Sequence, residues 1–66
     1  MLKDLVLAYR AKHNMTAEQF AEKIGVSPPT ISKIERGETP SKLVVAKVAH
    51  LLGVSFSDLW AEEEVK

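Results

Sequence analysis

At 66 residues the chain has room for one domain, taken as residues 1–66, and for a thin core that needs a cross-link, a metal, a partner or very regular helix packing. The absence of cysteine removes disulfides and thiolate metal sites together, and His13 and His50 lie far apart without ligand spacing, so neither metal nor cofactor is expected. Nine Lys and Arg balance nine Asp and Glu, but unevenly: eight cations and five acids precede Phe56, whereas "FSDLWAEEEVK" holds four acids and one lysine.

Apolar spacing predicts a first helix from about Leu2 to His13, with Leu2, Leu5, Val6 and Tyr9 on one face. The same stretch, "MLKDLVLAYRAKHN", carries charge among its apolar residues and lacks a cleavage site, so it does not read as a signal peptide. No apolar run approaches the roughly 20 residues that cross a bilayer. No membrane partner is expected, and the expected compartment is the cytoplasm.

A second helix begins at "TAEQ", where Thr16 as N-cap and Gln19 three residues later form a capping box. It buries Phe20, Ala21 and Ile24 and ends at Gly25. The third occupies "GVSPPTISKIERG", residues 25–37, with Ile31 and Ile34 inward. Ser27 reads as its N-cap, and a proline in the first turn lacks an N–H that would have been unpaired anyway. Because a residue preceding proline resists the α conformation, the start falls at Pro28 or Pro29. A fourth helix follows "ETPSK" and runs to Leu52, burying Val45, Val48 and Leu52, with Leu43, Val44 or Leu51 at its margins. After Ser55 a fifth short helix carries Phe56, Leu59 and Trp60, and the acidic tail completes residues 56–66. Gly25, Gly37 and Gly53 each follow a helical segment, the usual place for a residue that reaches the left-handed conformation cheaply. The chain therefore reads as all-α, with five short helices.

Only "GVS" separates the second and third helices, and two helices joined so tightly must cross steeply and leave the second projecting. "MTAEQFAEKIGVSPPTISKIERG" resembles the Cro/phage-repressor (xenobiotic-response-element) helix-turn-helix family, whose phage members are standard examples of the motif. The likeness rests on Phe20-Ala21, Gly25, Ile31, Ile34 and Glu35-x-Gly37. It extends to Arg10 upstream and "LLGVSFSDLW" downstream, and places the motif at about residues 16–36. It implies a compact five-helix lambda-repressor-like domain that lays its third helix in the major groove of double-stranded DNA.

On that likeness, Ser27, Pro28, Pro29, Ser32 and Lys33 are the candidate base contacts. Thr16, Thr30, Arg36, Ser41 and Lys42 are the candidate phosphate contacts. Two positions depart from the family pattern: Ala17 stands where many members grip a phosphate with glutamine, and the prolines replace long side chains that read bases. A proline offers only apolar contact, for instance to a thymine methyl, so readout should rest on Ser27, Ser32 and Lys33. Arg10 and Glu35 are expected to form a partly buried structural ion pair, as family members often do at these places. Phe56, Leu59 and Trp60 divide between closing the core and a homodimer interface, since family members commonly bind pseudo-palindromic sites as two-fold dimers.

The leading expectation is a sequence-specific DNA-binding transcriptional regulator, a Cro-like repressor. The competing one is a protein-interaction or antitoxin-like module on the same fold, which zero net charge and the Pro-Pro pair favour. An enzyme is not expected: no cysteine, paired histidine, carboxylate dyad or glycine-rich phosphate loop offers a reactive centre.

Overall fold

Capping residues and apolar spacing coincide five times in the computed structural model, which describes residues 2–64, with side chains through Glu62. The helices are α1 (Leu2–His13), α2 (Ala17–Ile24), α3 (Pro28–Glu35), α4 (Lys42–Leu52) and α5 (Phe56–Glu64), with no strand among the described residues. Val65 and Lys66 of the acidic tail lie outside the described residues.

Three starts are held by side chains. The Thr16 hydroxyl accepts from Gln19 N–H at 3.0 Å, and the Gln19 side-chain oxygen accepts from Thr16 N–H at 2.9 Å, completing the capping box of α2. Ser41 Oγ accepts from Val44 N–H at 3.4 Å, and Ser55 Oγ from Asp58 N–H at 3.5 Å. The start of α3 is different. Ser27 has the extended N-cap backbone but makes no side-chain cap bond. Pro28 and Pro29 have no N–H to offer, and Thr30 N–H goes to the Ser27 carbonyl at 3.0 Å. The expected Ser27 cap is therefore replaced by a hydroxyl contact to Thr30, and the locked ring torsions of two prolines set the helix start at Pro28.

The ends of the first four helices share one closure. In α2, Gly25 N–H donates to Glu22 O and Val26 N–H to Ala21 O, with Gly25 at φ 74°, a left-handed torsion glycine adopts without steric cost. The pattern repeats at Gly37–Glu38 on α3, at Gly53–Val54 on α4, and at Asn14–Met15 on α1, where Asn14 takes φ 53°. Asparagine reaches this region more readily than other residues with a side chain, because its short amide finds local hydrogen bonds.

Leu2, Val6, Phe20, Ala21, Ile31, Ile34, Val45, Val48, Ala49 and Leu59 form the buried core. Phe20 lies fully buried, with Tyr9 edge-on to it at 5.6 Å between ring centres. Each fully buried Leu, Ile, Val or Phe removes enough apolar surface to contribute about 1.5–3 kcal/mol. Leu52, expected inside, is only half-buried, as is Ile24. Ala49 is buried beside Val45 and Val48, and Leu52, at the last turn of α4, packs along the rim of the core. Leu43 is 65% exposed.

Two polar ties fix how the helices sit. Arg10 Nη1 donates to Glu35 Oε2, joining α1 to α3, while Arg10 Nε donates to the Met15 carbonyl at 3.2 Å. Lys47 Nζ donates to the Gly25 carbonyl at 3.3 Å, so a cation of α4 holds the turn between α2 and α3.

Candidate nucleic-acid interface

Helix α3 buries Ile31 and Ile34 and leaves Pro28, Pro29, Ser32, Lys33 and Arg36 exposed. Pro29, Ser32, Lys33 and Arg36 follow the i, i+3, i+4, i+7 spacing of one helical face, so they line a stripe about 10 Å long at 1.5 Å per residue. Ser27, exposed, stands at the start of that stripe. Glu35 is the one acid within α3, and it is turned onto Arg10, with side-chain exposures of 23% for Arg10 and 20% for Glu35. The pair takes the carboxylate off the outer face. What projects from α3 is two hydroxyls, two pyrrolidine rings and the cations Lys33 and Arg36.

The remaining predicted positions surround this stripe with different degrees of freedom. Thr30 is half-buried, and its hydroxyl lies 3.0 Å from Ser27 Oγ. Thr16 and Ser41 are exposed N-caps whose oxygens accept from their own helices, which leaves each O–H to donate outward. The first-turn N–H groups of α2 and α4 that the caps do not take point out of the helix ends, an arrangement that favours anions. Lys42 opens α4 with its ammonium 5.7 Å from the centre of the Trp60 ring, a cation–π distance. Arg36 is held by Glu38, whose Oε2 accepts from Nε at 3.3 Å and from Nη2 at 3.2 Å.

Of the residues expected to divide between core and dimer surface, Leu59 is 2% exposed and belongs to the core. Phe56, Leu59 and Trp60 follow i, i+3, i+4 spacing and share one face of α5, with Leu59 the deepest of the three. Phe56 and Trp60 are half-buried and stack with centres 6.0 Å apart. An apolar contact surface on α5 is thus reduced to these two rings.

Three residues carry roles that sequence reasoning passed over. Asn14 ends α1, Lys47 ties α4 to the turn, and Glu38 occupies Arg36. The first had a signal in its Asn between helical segments, and the third in its Arg-x-Glu spacing across a glycine; Lys47 had none in one dimension. Among the described residues, no cluster of three or more metal-ligating side chains occurs, and no helix is long and apolar enough to cross a membrane.

Comparison with known proteins bears on what this surface meets. A family described as helix-turn-helix matches residues 6–59. An uncharacterized HTH-type transcriptional regulator of Methanocaldococcus jannaschii is 41% identical over 64 residues, covering 96% of this chain and 97% of that protein. The uncharacterized HTH-type transcriptional regulator YvzC of Bacillus subtilis is 39% identical over 59 residues, 88% of this chain and 77% of its own. An uncharacterized HTH-type transcriptional regulator of Archaeoglobus fulgidus is 31% identical over 64 residues, covering 96% and 90%. No solved structure matches the chain.

Proposed function

This chain belongs to the helix-turn-helix family of the Cro/phage-repressor type, and from that premise we propose that it is a DNA-binding transcriptional regulator. The observation that carries the reading is the outer face of α3, an exposed stripe of hydroxyls and cations from which the helix's own carboxylate has been withdrawn. A major groove about 12 Å wide admits one helix and displays a different pattern of donors and acceptors for each base pair. With α3 in that groove, Ser32 and Lys33 read base edges, with Ser27 at the start of the helix. Pro28 and Pro29 meet thymine methyl groups. Arg36, Thr16, Ser41 and Lys42 take phosphates, and Thr30 supports them through the hydroxyl contact it shares with Ser27.

One protomer of zero net charge gathers few phosphate contacts, so the regulator works as a homodimer on a pseudo-palindromic operator. Its two α3 helices would then occupy half-sites one helical turn, about 34–36 Å, apart. Residues 1–66 act as one domain, in the cytoplasm.

Selection of bound sites from a random duplex pool, run at two salt concentrations, tests the reading. Enrichment of a motif with two-fold symmetry is the expected outcome. Recovery of no motif, at either salt, would reject it in favour of a protein-interaction module on the same fold.

A further inference from the structure

We infer that Glu38 is a built-in competitor for the phosphate site of Arg36, and that it sets how tightly the protein holds any duplex. The inference rests on the reading above that Arg36 faces the DNA backbone.

The positions that close the four helix ends carry it. The residue after each left-handed position is Met15, Val26, Glu38 or Val54. Met15 and Val26 are half-buried, as expected where this residue packs back against its helix, and Val54 is 42% exposed. Glu38 departs from the apolar type and is exposed. Its backbone nonetheless makes the same closure, with Glu38 N–H donating to Lys33 O at 3.0 Å and Gly37 N–H to Ile34 O at 2.9 Å. The turn therefore holds the carboxylate beside the last residue of the stripe without using it to close the helix. There the carboxylate oxygen accepts from Nε and Nη2 of Arg36, the two N–H directions through which a guanidinium grips a phosphate. Side-chain exposures of 62% for Arg36 and 55% for Glu38 mean that the pair contributes little to folding. The contact is free to exchange. A phosphate oxygen approaching Arg36 must displace the Glu38 carboxylate and then tolerate a second negative charge nearby.

Equilibrium binding of the full chain to the selected duplex and to an unrelated duplex, across several salt concentrations, tests this with Glu38→Gln. The substitution keeps the side-chain length and removes the charge. Affinity for both duplexes should rise about two- to five-fold at low salt, with the salt slope steeper by about one contact. The gain should vanish when Arg36→Ala is already present. Glu62→Gln, which removes an equal charge on α5, should give much less. In the absence of DNA, the Arg36 Nε–H should exchange with solvent faster in Glu38→Gln than in the parent protein. The inference is overturned if the parent binds DNA and Glu38→Gln binds with the same affinity and slope. A gain that persists undiminished beside Arg36→Ala, or that Glu62→Gln reproduces, overturns it equally, because the effect would then be one of overall charge. If neither the parent nor Glu38→Gln binds any duplex at low salt, the DNA-binding reading itself fails, a different result from all of these.

Discussion

Lys33 and Lys42 are both exposed lysines, yet their surroundings separate their roles. Lys33 lies on the α3 stripe between Ser32 and Arg36, where the proposed docking would bring it to guanine O6 and N7. Lys33→Ala should cost about 1–3 kcal/mol on the selected site and relax preference at one base pair. Lys42, at the start of α4 and over Trp60, lies outside α3, and in the proposed complex it meets only the DNA backbone. Its replacement by Ala should weaken all sequences alike and flatten the salt slope by about one. Binding curves on selected and unrelated duplexes separate the two effects. An unchanged ratio of specific to non-specific affinity in both Lys33→Ala and Arg36→Ala would mean that α3 does not read bases. Arg10 belongs to the interior. It bonds Glu35 and also the Met15 carbonyl near the end of α1, so Arg10→Ala strips a partner from a mostly buried carboxylate and from a backbone oxygen together. A loss of about 1–3 kcal/mol is expected, more than for Glu35→Gln, which leaves the Met15 bond in place. Urea unfolding of both variants and the double mutant measures the coupling.

At the scale of elements, the two prolines at the start of α3 set conformational entropy against hydrogen bonding. Pro29 restricts the unfolded chain, an effect of about 0.4–1 kcal/mol. It also withholds the N–H that the Ser27 hydroxyl would cap, and a serine cap contributes about 0.5–2 kcal/mol. At the middle of these ranges Pro29→Ala should come out about 0.5 kcal/mol more stable. Thermal unfolding, together with slowed exchange of the backbone N–H that the substitution introduces at position 29, checks both halves of the argument. The same helix shows what a sequence makes legible. Its apolar pair Ile31 and Ile34, its glycine stop and its exposed stripe all follow from local spacing. Its missing cap does not, because Ser before Pro satisfies the N-cap pattern while the geometry depends on which N–H groups exist. The boundaries of the other helices were legible for a similar reason, since caps and left-handed stops are local. The end of α1 at His13 was legible too, but Asn14 as its left-handed stop was not, because asparagine occurs in turns of many kinds. Leu52, expected inside, is half-buried while Ala49, given no place beforehand, is buried, because helical period specifies a face whereas depth along that face depends on what packs opposite. The ties Lys47–Gly25 and Arg36–Glu38 fix where cations point, and neither burial nor periodicity encodes that.

For the whole molecule, the margin is small. At roughly 0.05–0.15 kcal/mol per residue, a chain of 66 residues holds about 3–10 kcal/mol against unfolding. Helix α5 supplies Leu59 to the core and packs Phe56 and Trp60 against it. A fragment ending at Ser55 forfeits all three, at about 1.5–3 kcal/mol for the buried Leu59 and a smaller contribution from each half-buried ring. It should show no cooperative thermal transition. Leu59→Ala, with a cavity cost of about 2–5 kcal/mol, should leave a fold that melts far below the parent. Trp60 behaves differently because it is only half-buried, stacked on Phe56 and covered by Lys42. If the stacked rings form the contact between protomers, Trp60→Ala should shift sedimentation toward monomer and weaken operator binding, with little loss of cooperative unfolding. In the proposed complex the tryptophan also reports on the face that meets DNA. When Lys42 leaves the ring for a phosphate, the emission of Trp60, the chain's single tryptophan, should change on adding duplex. That change should be lost in Lys42→Ala, which keeps the ring and removes the cation. A parent protein that stays monomeric at high concentration and binds one protomer per duplex would rule out the dimer. An emission change that survives in Lys42→Ala would instead place the origin of the signal at the aromatic pair itself.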